Sequence, residues 1–270
     1  MATALGLQFR VPACLGAMTQ PTTQQGGVRL EIRSPRRSGG PRLGLNGTAA
    51  AVVDVWRFGL EGGLRVSPDR VLSRGELQQA RTITSALARR RFLAGRVRLR
   101  QILSRYCGVP PSRLPIQHTE FGKPYLEAPF TGVSFNLSHS RGTAILAVSD
   151  GVAIGVDLEE RRSIAAETIA ACWLHEGERE DLLRCSKGQR QSAFFRLWCR
   201  KEAVLKGQGS GLRFPLHEFR VSVAQGRAEV LSWPLAGTSW HLYDLTMDGA
   251  YTAALALDRP AKSIRYREPG

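Results

Sequence analysis

Two acids two residues apart, Asp157 and Glu159 in "IGVDLEE", and a third some forty residues on, Glu202 in "LWCRKEAVLKGQGSGL", could together hold a divalent cation. On a strand, side chains two apart share a face, so Asp157 and Glu159 point one way while Glu160 points away or begins the turn. Apolar residues precede them, which puts the pair at the end of a buried strand. Clustered carboxylate oxygens there suit Mg²⁺, which takes hard oxygen ligands and keeps room for water and substrate phosphates; the plainer reading is a strand running out into solvent. In the second stretch Trp198, Glu202 and Lys206 recur every fourth position and lie on one helical face. Taken alone, such a pattern is an amphipathic helix with one surface Glu–Lys pair, worth a few tenths of a kcal/mol. A helix that packs Phe194, Leu197 and Trp198 on the sheet would instead bring Glu202 to the strand-borne acids. Lys201 and Lys206 would then flank the site and neutralise phosphate oxygens.

The surrounding pattern must build that strand and that helix. "AVVDVWRF" alternates as a strand does, and residues 72–106 read as one or two helices with Phe92, Gly95, Leu99, Ile102, Leu103 and Tyr106 as the core stripe. Arg89, Arg96 and Arg100 share a neighbouring face, and Arg98, Arg100 and Arg105 are expected in solvent or against a partner. "CGVPPSRLPI" breaks the helix. "VSFNLSHS", "GTAILAVSD" and "VAIGVDLEE" then read as strands, 164–184 and 189–206 as helices, and "FRVSVA", "RAEVLSW", "WHLYDLTM" and "AYTAALAL" as strands. The order predicts an α+β fold of two similar α/β subdomains, 51–150 and 151–260, meeting near residue 150, with 261–270 as a tail. Residues 1–50, rich in Gly, Pro, Gln and Ser without apolar periodicity, are expected as a disordered extension. Their acid-poor, Arg- and Ser-containing composition also fits an organelle transit peptide, and Met18 an internal start.

The chain has 270 residues, 43% of them hydrophobic, enough for a substantial core. No apolar run approaches the ~20 residues of a membrane span. Its five cysteines are scattered without a C-x-x-C, and its five histidines give no metal spacing. That argues for a reducing compartment and against zinc or a disulfide framework. The net charge of +15 is uneven: nine arginines and no acid lie between Glu76 and Glu120. Such a field attracts nucleic acid, a phosphorylated cofactor or an acidic protein, unless it is merely a solvated face.

"FGKPYL", "FNLSHS", "IGVDLEE" and "WCRKEAVLKGQGSGL", in that order and at these separations, resemble the 4′-phosphopantetheinyl transferases of the two-subdomain, surfactin-synthetase-activator type. "RRRFLAGRVRLRQIL" matches as well, and the likeness covers roughly residues 52–258. The resemblance implies two subdomains related by pseudo-twofold symmetry with the active site at their interface. It also implies transfer of the phosphopantetheine arm of coenzyme A to a serine of an acyl or peptidyl carrier protein. Residue by residue, Asp157, Glu159 and Glu202 match the Mg²⁺ ligands, with Glu160 a possible substitute for Glu159. Lys206 matches the lysine near the transferring phosphate, and Glu202 the candidate base. Lys201 matches a pyrophosphate contact, Ser138 and His139 the coenzyme A phosphate segment, and Lys123 and Arg96 basic positions near the 3′-phosphate. Arg90 and Arg91 match in a looser register.

On this reading the partners are an acidic carrier protein and coenzyme A, with no membrane or nucleic acid, and the enzyme is a cytoplasmic monomer; a transit peptide would place it in an organelle. The alternatives are an Arg-rich nucleic-acid-binding protein, which leaves the acids without a role, and an Mg²⁺-dependent phosphohydrolase, which has no use for "FNLSHS".

Overall fold

The alternation that opens at Ala51 becomes strand β1 (Ala51–Gly59), whose two faces serve two different cores. The computed structural model describes residues 50–269, so the expectations for the first forty-nine residues lie outside them. Helix α1 (Arg74–Thr82) starts at a capping box: the Glu76 N–H donates to Ser73 Oγ and the Ser73 N–H to Glu76 Oε2. Helix α2 (Ala86–Cys107) ends at Gly108, whose φ of 66° closes the last turn in the left-handed region. The short hairpin β2 (Ile116–His118) and β3 (Pro124–Leu126) follows, then β4 (Val133–Ser140), β5 (Thr143–Asp150) and β6 (Ile154–Glu160). The helical stretch after β6 is interrupted at Leu174, giving α3 (Ala166–Trp173) and α4 (Glu176–Arg184), and α5 (Lys187–Gln208) comes next. The later strands are β7 (Arg220–Val221), β8 (Val230–Ser232), β9 (His241–Leu245), β10 (Tyr251–Leu257) and β11 (Ala261–Arg267).

Four layers result. The strands order as β11-β1-β5-β4 in one sheet and β6-β10-β9 in the other. Helix α2 buries Leu99, Ile102 and Leu103 on Trp56, Phe58 and Leu146 of the first sheet. Between the sheets lie Val53, Val55, Ile145 and Ala147, packed with Val156, Leu158 and Leu255. Helix α5 covers the far side of the second sheet with Ala203 and Gly207 over Gly155 of β6 and with Cys199, whose Sγ donates to the Thr252 carbonyl of β10. Phe194, Leu197 and Trp198, expected against the sheet, lie instead on the side of the helix that carries Lys201, buried in the cluster beyond it. This is the expected mixed α/β architecture, each sheet carrying a helix of 22 residues.

The end of the chain differs from expectation. Residues 261–267 are not tail but strand β11, which pairs parallel to β1. Asp54, buried in β1, accepts from Arg265 Nε (2.7 Å), Arg267 Nε (3.2 Å) and the Tyr106 hydroxyl (2.7 Å). The strand was hard to read because it is an edge, and edges carry charges such as Lys262, Arg265 and Arg267 that blunt further pairing.

One close approach fixes where α5 lies. A Cβ on Gly155 would stand 2.0 Å from the Ala203 carbonyl oxygen and 2.2 Å from the Gly207 nitrogen. Ala254 and Ala256 of β10 pair with Asp157 and Gly155, so the strip beneath the helix is kept small. Only a bare backbone lets α5 settle onto β6. Gly155→Ala should therefore cost about 1–3 kcal/mol or more, read as a fall in the urea midpoint. Gly132→Ala, where a Cβ meets nothing within 4 Å, should stay within ~0.5 kcal/mol of the parent.

Candidate active site

Because Ile154, Val156 and Leu158 face the inter-sheet core, alternation turns Asp157 and Glu159 to the other side of β6, toward α5. Both are 1% exposed, and Glu202, one turn before Lys206 on α5, is 6% exposed. Asp157 Oδ1 accepts from Lys206 Nζ at 2.5 Å and from Ser138 Oγ at 3.0 Å. Glu159 Oε2 accepts from Ser140 Oγ at 3.1 Å. One oxygen of each acid is left over: Asp157 Oδ2, Glu159 Oε1 and Glu202 Oε1 are all buried without a hydrogen-bond partner among the described residues. Stranded acceptors of this kind cost about 1–3 kcal/mol each, more when charged.

The charges respond to that crowding. Burial and the nearby Asp157 raise the Glu159 carboxyl to about 8 and the Glu202 carboxyl to about 7, with Lys206 pulling both down in part. Burial alone would lower the Lys206 ammonium, but Asp157, Glu202 and Glu159 outweigh it and hold the group charged. His139, on the same β4 segment, is pushed down to about 4 by burial and by the Lys206 and Arg91 charges. Its imidazole is neutral at neutral pH.

A cation would suit this set of residues. The three acids are not held in a ready cage, since among the described residues no group of three or more His, Cys, Asp or Glu is poised to bind a metal. The fit is chemical: three hard oxygen donors, each with an unpartnered buried oxygen, around a single ammonium. Glu160 is not one of them. Its side chain turns out to Arg141, with Nε to Oε2 at 2.8 Å, so Glu159 is the inward acid.

Four basic residues lie otherwise than expected. Lys201 does not flank the acids; it is fully buried on another face of α5, donating to Glu178 Oε1 (2.7 Å) and the Phe219 carbonyl (2.5 Å). Glu178 also accepts the N–H groups of His175 and Val221, so Lys201 ties α4 and α5 to β7. A residue next to Glu202 in sequence lies 100° round the helix, and there the interior needed a cation for Glu178. Lys123 Nζ donates to the Ile154 carbonyl (3.1 Å) and the Gly207 carbonyl (2.6 Å), capping the end of α5 and fastening it to β6. Arg96 Nε is committed to Glu76 Oε1 at 2.8 Å, beside Arg100, which is buried rather than solvated and donates to Glu76 Oε2 and the Pro111 carbonyl. The arginine whose charge reaches His139 is Arg91, whose guanidinium is ion-paired through Nη2 with Glu61 while its Nε is buried without a hydrogen-bond partner among the described residues.

Sequence reasoning also missed Asn136 and Ser140. With Ser138 they sit at alternate positions of β4, and all three are buried polar residues. The only signal was the polar alternation N-x-S-x-S inside an otherwise strand-like run.

Residues 153–256 match the 4′-phosphopantetheinyl transferase superfamily, and residues 70–150 match the 4′-phosphopantetheinyl transferase N-terminal family. The chain is 35% identical over 210 residues to 4′-phosphopantetheinyl transferase HetI of Nostoc sp., covering 76% of this chain and 87% of that protein. It is 30% identical over 170 residues to 4′-phosphopantetheinyl transferase Sfp of Bacillus subtilis, covering 63% of this chain and 75% of that protein. A mouse relative, L-aminoadipate-semialdehyde dehydrogenase-phosphopantetheinyl transferase, is 26% identical over 144 residues, 49% of this chain and 46% of that protein.

The raised acids make the protein's stability depend on pH without a metal. Glu159 and Glu202 bind protons more tightly folded than unfolded, so stability is full below the unfolded value near 4.5 and is lost as pH rises through about 7 to 8. His139, depressed to about 4, opposes this below its ordinary 6.5, so the acids dominate from about 6.5 to 8. In EDTA the urea midpoint should fall across that window, and Glu159→Gln should flatten the fall.

Proposed function

The chain belongs to the 4′-phosphopantetheinyl transferases, and from that premise we propose that it modifies an apo acyl or peptidyl carrier protein. It transfers the phosphopantetheine arm of coenzyme A to a carrier serine and releases adenosine 3′,5′-bisphosphate. The observation that carries the reading is the set of three buried acids with unpartnered oxygens around Lys206. In that chemistry the serine oxygen bonds to the phosphorus of the arm, the pyrophosphate P–O bond breaks, and the bisphosphate takes the electron pair.

Mg²⁺ would be held by Asp157, Glu159 and Glu202, and when bound it would neutralise charge on the pyrophosphate. A serine hydroxyl is a poor nucleophile at neutral pH and needs a positioned base. Glu202 is the best placed: its Oε1 is buried in the site without a partner among the described residues, and can take up the serine proton there. Lys206 Nζ, held charged by its acidic neighbours, stabilises the leaving phosphate oxygen. His139 and Arg91 supply a neutral donor and a fixed cation at the edge of the site. Lys123 and Lys201 act at one remove, by holding α5 on β6 and on α4.

We further propose an acidic carrier as the partner of a monomeric enzyme. Arg65, Arg98 and Arg105 border a cavity of about 370 Å³ beside α2. No ion pair to an acid is made by these three among the described residues, although the Arg105 guanidinium lies 5.2 Å over the Trp56 ring, so the charge of Arg65 and Arg98 above all faces a partner of opposite sign. The cytoplasm is the proposed location.

Incubation with coenzyme A, Mg²⁺ and an apo carrier should add one phosphopantetheine to the carrier by intact mass. Glu202→Gln keeps the shape but loses the base and should lower the rate ~10²-fold or more. Lys206→Ala should lower kcat more than it raises the KM for coenzyme A. A Glu202→Gln enzyme at parental rate would remove the base assignment.

A further inference from the structure

Strand β4 ends the first sheet, β6 begins the second, and they run side by side without a backbone ladder. Side chains take its place. Asn136 Oδ1 accepts from the Val156 N–H (2.9 Å), Ser138 Oγ from the Leu158 N–H (3.2 Å), and Ser140 Oγ from the Glu160 N–H (3.0 Å). Three alternate side chains on β4 thus meet three alternate amides on β6. Buried N–H groups left unpaired would be costly, so these contacts are what allows β6 to stand as a buried edge.

Two of the three contacts do more. A hydroxyl has one hydrogen to give, and acceptance from the amide leaves that hydrogen for the neighbouring acid. Ser138 gives it to Asp157 Oδ1 and Ser140 to Glu159 Oε2, in each case leaving the acid's other oxygen unpartnered. Ser138 Oγ, which also accepts from Lys206 Nζ at 3.0 Å, has its donor and both acceptor positions filled. The one hydrogen bond of the Asn136 side chain among the described residues is to backbone, and none is made to an acid.

We propose that Ser140, together with Ser138, is a positioning residue: the β4–β6 side-chain ladder sets the rotamers of Glu159 and Asp157 so that one oxygen of each stays free for the cation. Asn136 performs the structural half of the same task without the positioning half. The proposal rests on the Mg²⁺ reading above and says which of the chain's own groups prepare that site.

The test separates the two halves. With full-length protein and saturating coenzyme A, the midpoint of the Mg²⁺-dependent rise in Tm is measured alongside the Tm in EDTA. Partners of metal ligands typically change metal affinity ~10–100-fold when removed. Ser140→Ala should move the Mg²⁺ midpoint at least ~10-fold upward by that rule. Asn136→Ala should lower the EDTA Tm while leaving the Mg²⁺ midpoint within about threefold, well short of that change. Ser140→Cys, close in volume with a weaker donor, should shift the midpoint in the same direction by less, and it serves if the alanine variant does not fold. An unchanged midpoint in a folded Ser140 variant, or an equal shift in Asn136→Ala, would overturn the positioning role. A wild-type Tm indifferent to Mg²⁺ would instead overturn the metal reading on which it rests.

Discussion

Three carboxylates and one ammonium share a space nearly closed to water, and the rest of the structure arranges itself around that imbalance. Ionised acids this close repel one another, and burial weakens the solvent that would relieve them. Lys206 answers one charge by its ion pair with Asp157. Glu159 and Glu202 answer by holding protons more tightly than ordinary carboxylates do. The elements beneath supply the rigidity: Gly155 admits α5 to within backbone contact of β6, and Lys123 fastens the end of that helix. An arrangement that costs stability and persists belongs to function rather than to folding.

The same interior shows how differently neighbouring charges are used. Arg200, Lys201 and Glu202 follow one another on α5, and all are buried. Arg200 is saturated by Asp244 and the Ser222 and Ala224 carbonyls, and Lys201 by Glu178 and Phe219. Removing one partner of such a buried pair is costly, which makes them specific fasteners. Glu202, one residue on, has no fastener and keeps an unpartnered oxygen. Adjacent residues on one helix thus divide into scaffold and chemistry according to the face they occupy.

Much of this was legible in the sequence, and the failures have a common cause. Periodicity alone placed Asp157 and Glu159 on one face, and a four-residue spacing joined Glu202 to Lys206, because both are properties of a single element. Lys201 could not be read that way, since its partner Glu178 comes from a different helix. Arg96 and Arg91 lie on one helix, and which of them reaches the site depends on how α1 packs, where Glu76 claims Arg96. Strand β11 was overlooked because its charges serve Asp54 on β1, far away in sequence. Polar residues were placed on the right face where spacing along the chain decides it, and missed where a tertiary partner does.

If the proposed Mg²⁺ site is correct, Glu159 and Glu202, whose carboxyls are raised to about 8 and about 7, give up protons when the cation binds. Calorimetric titration of Mg²⁺ into the protein, repeated in buffers of different ionisation enthalpy, counts the protons released on binding. At pH 6.5, below the raised values of about 8 and 7, binding should release protons, and the number should fall toward zero as pH rises above 8. Mg²⁺ binding at pH 6.5 with no proton released would contradict it.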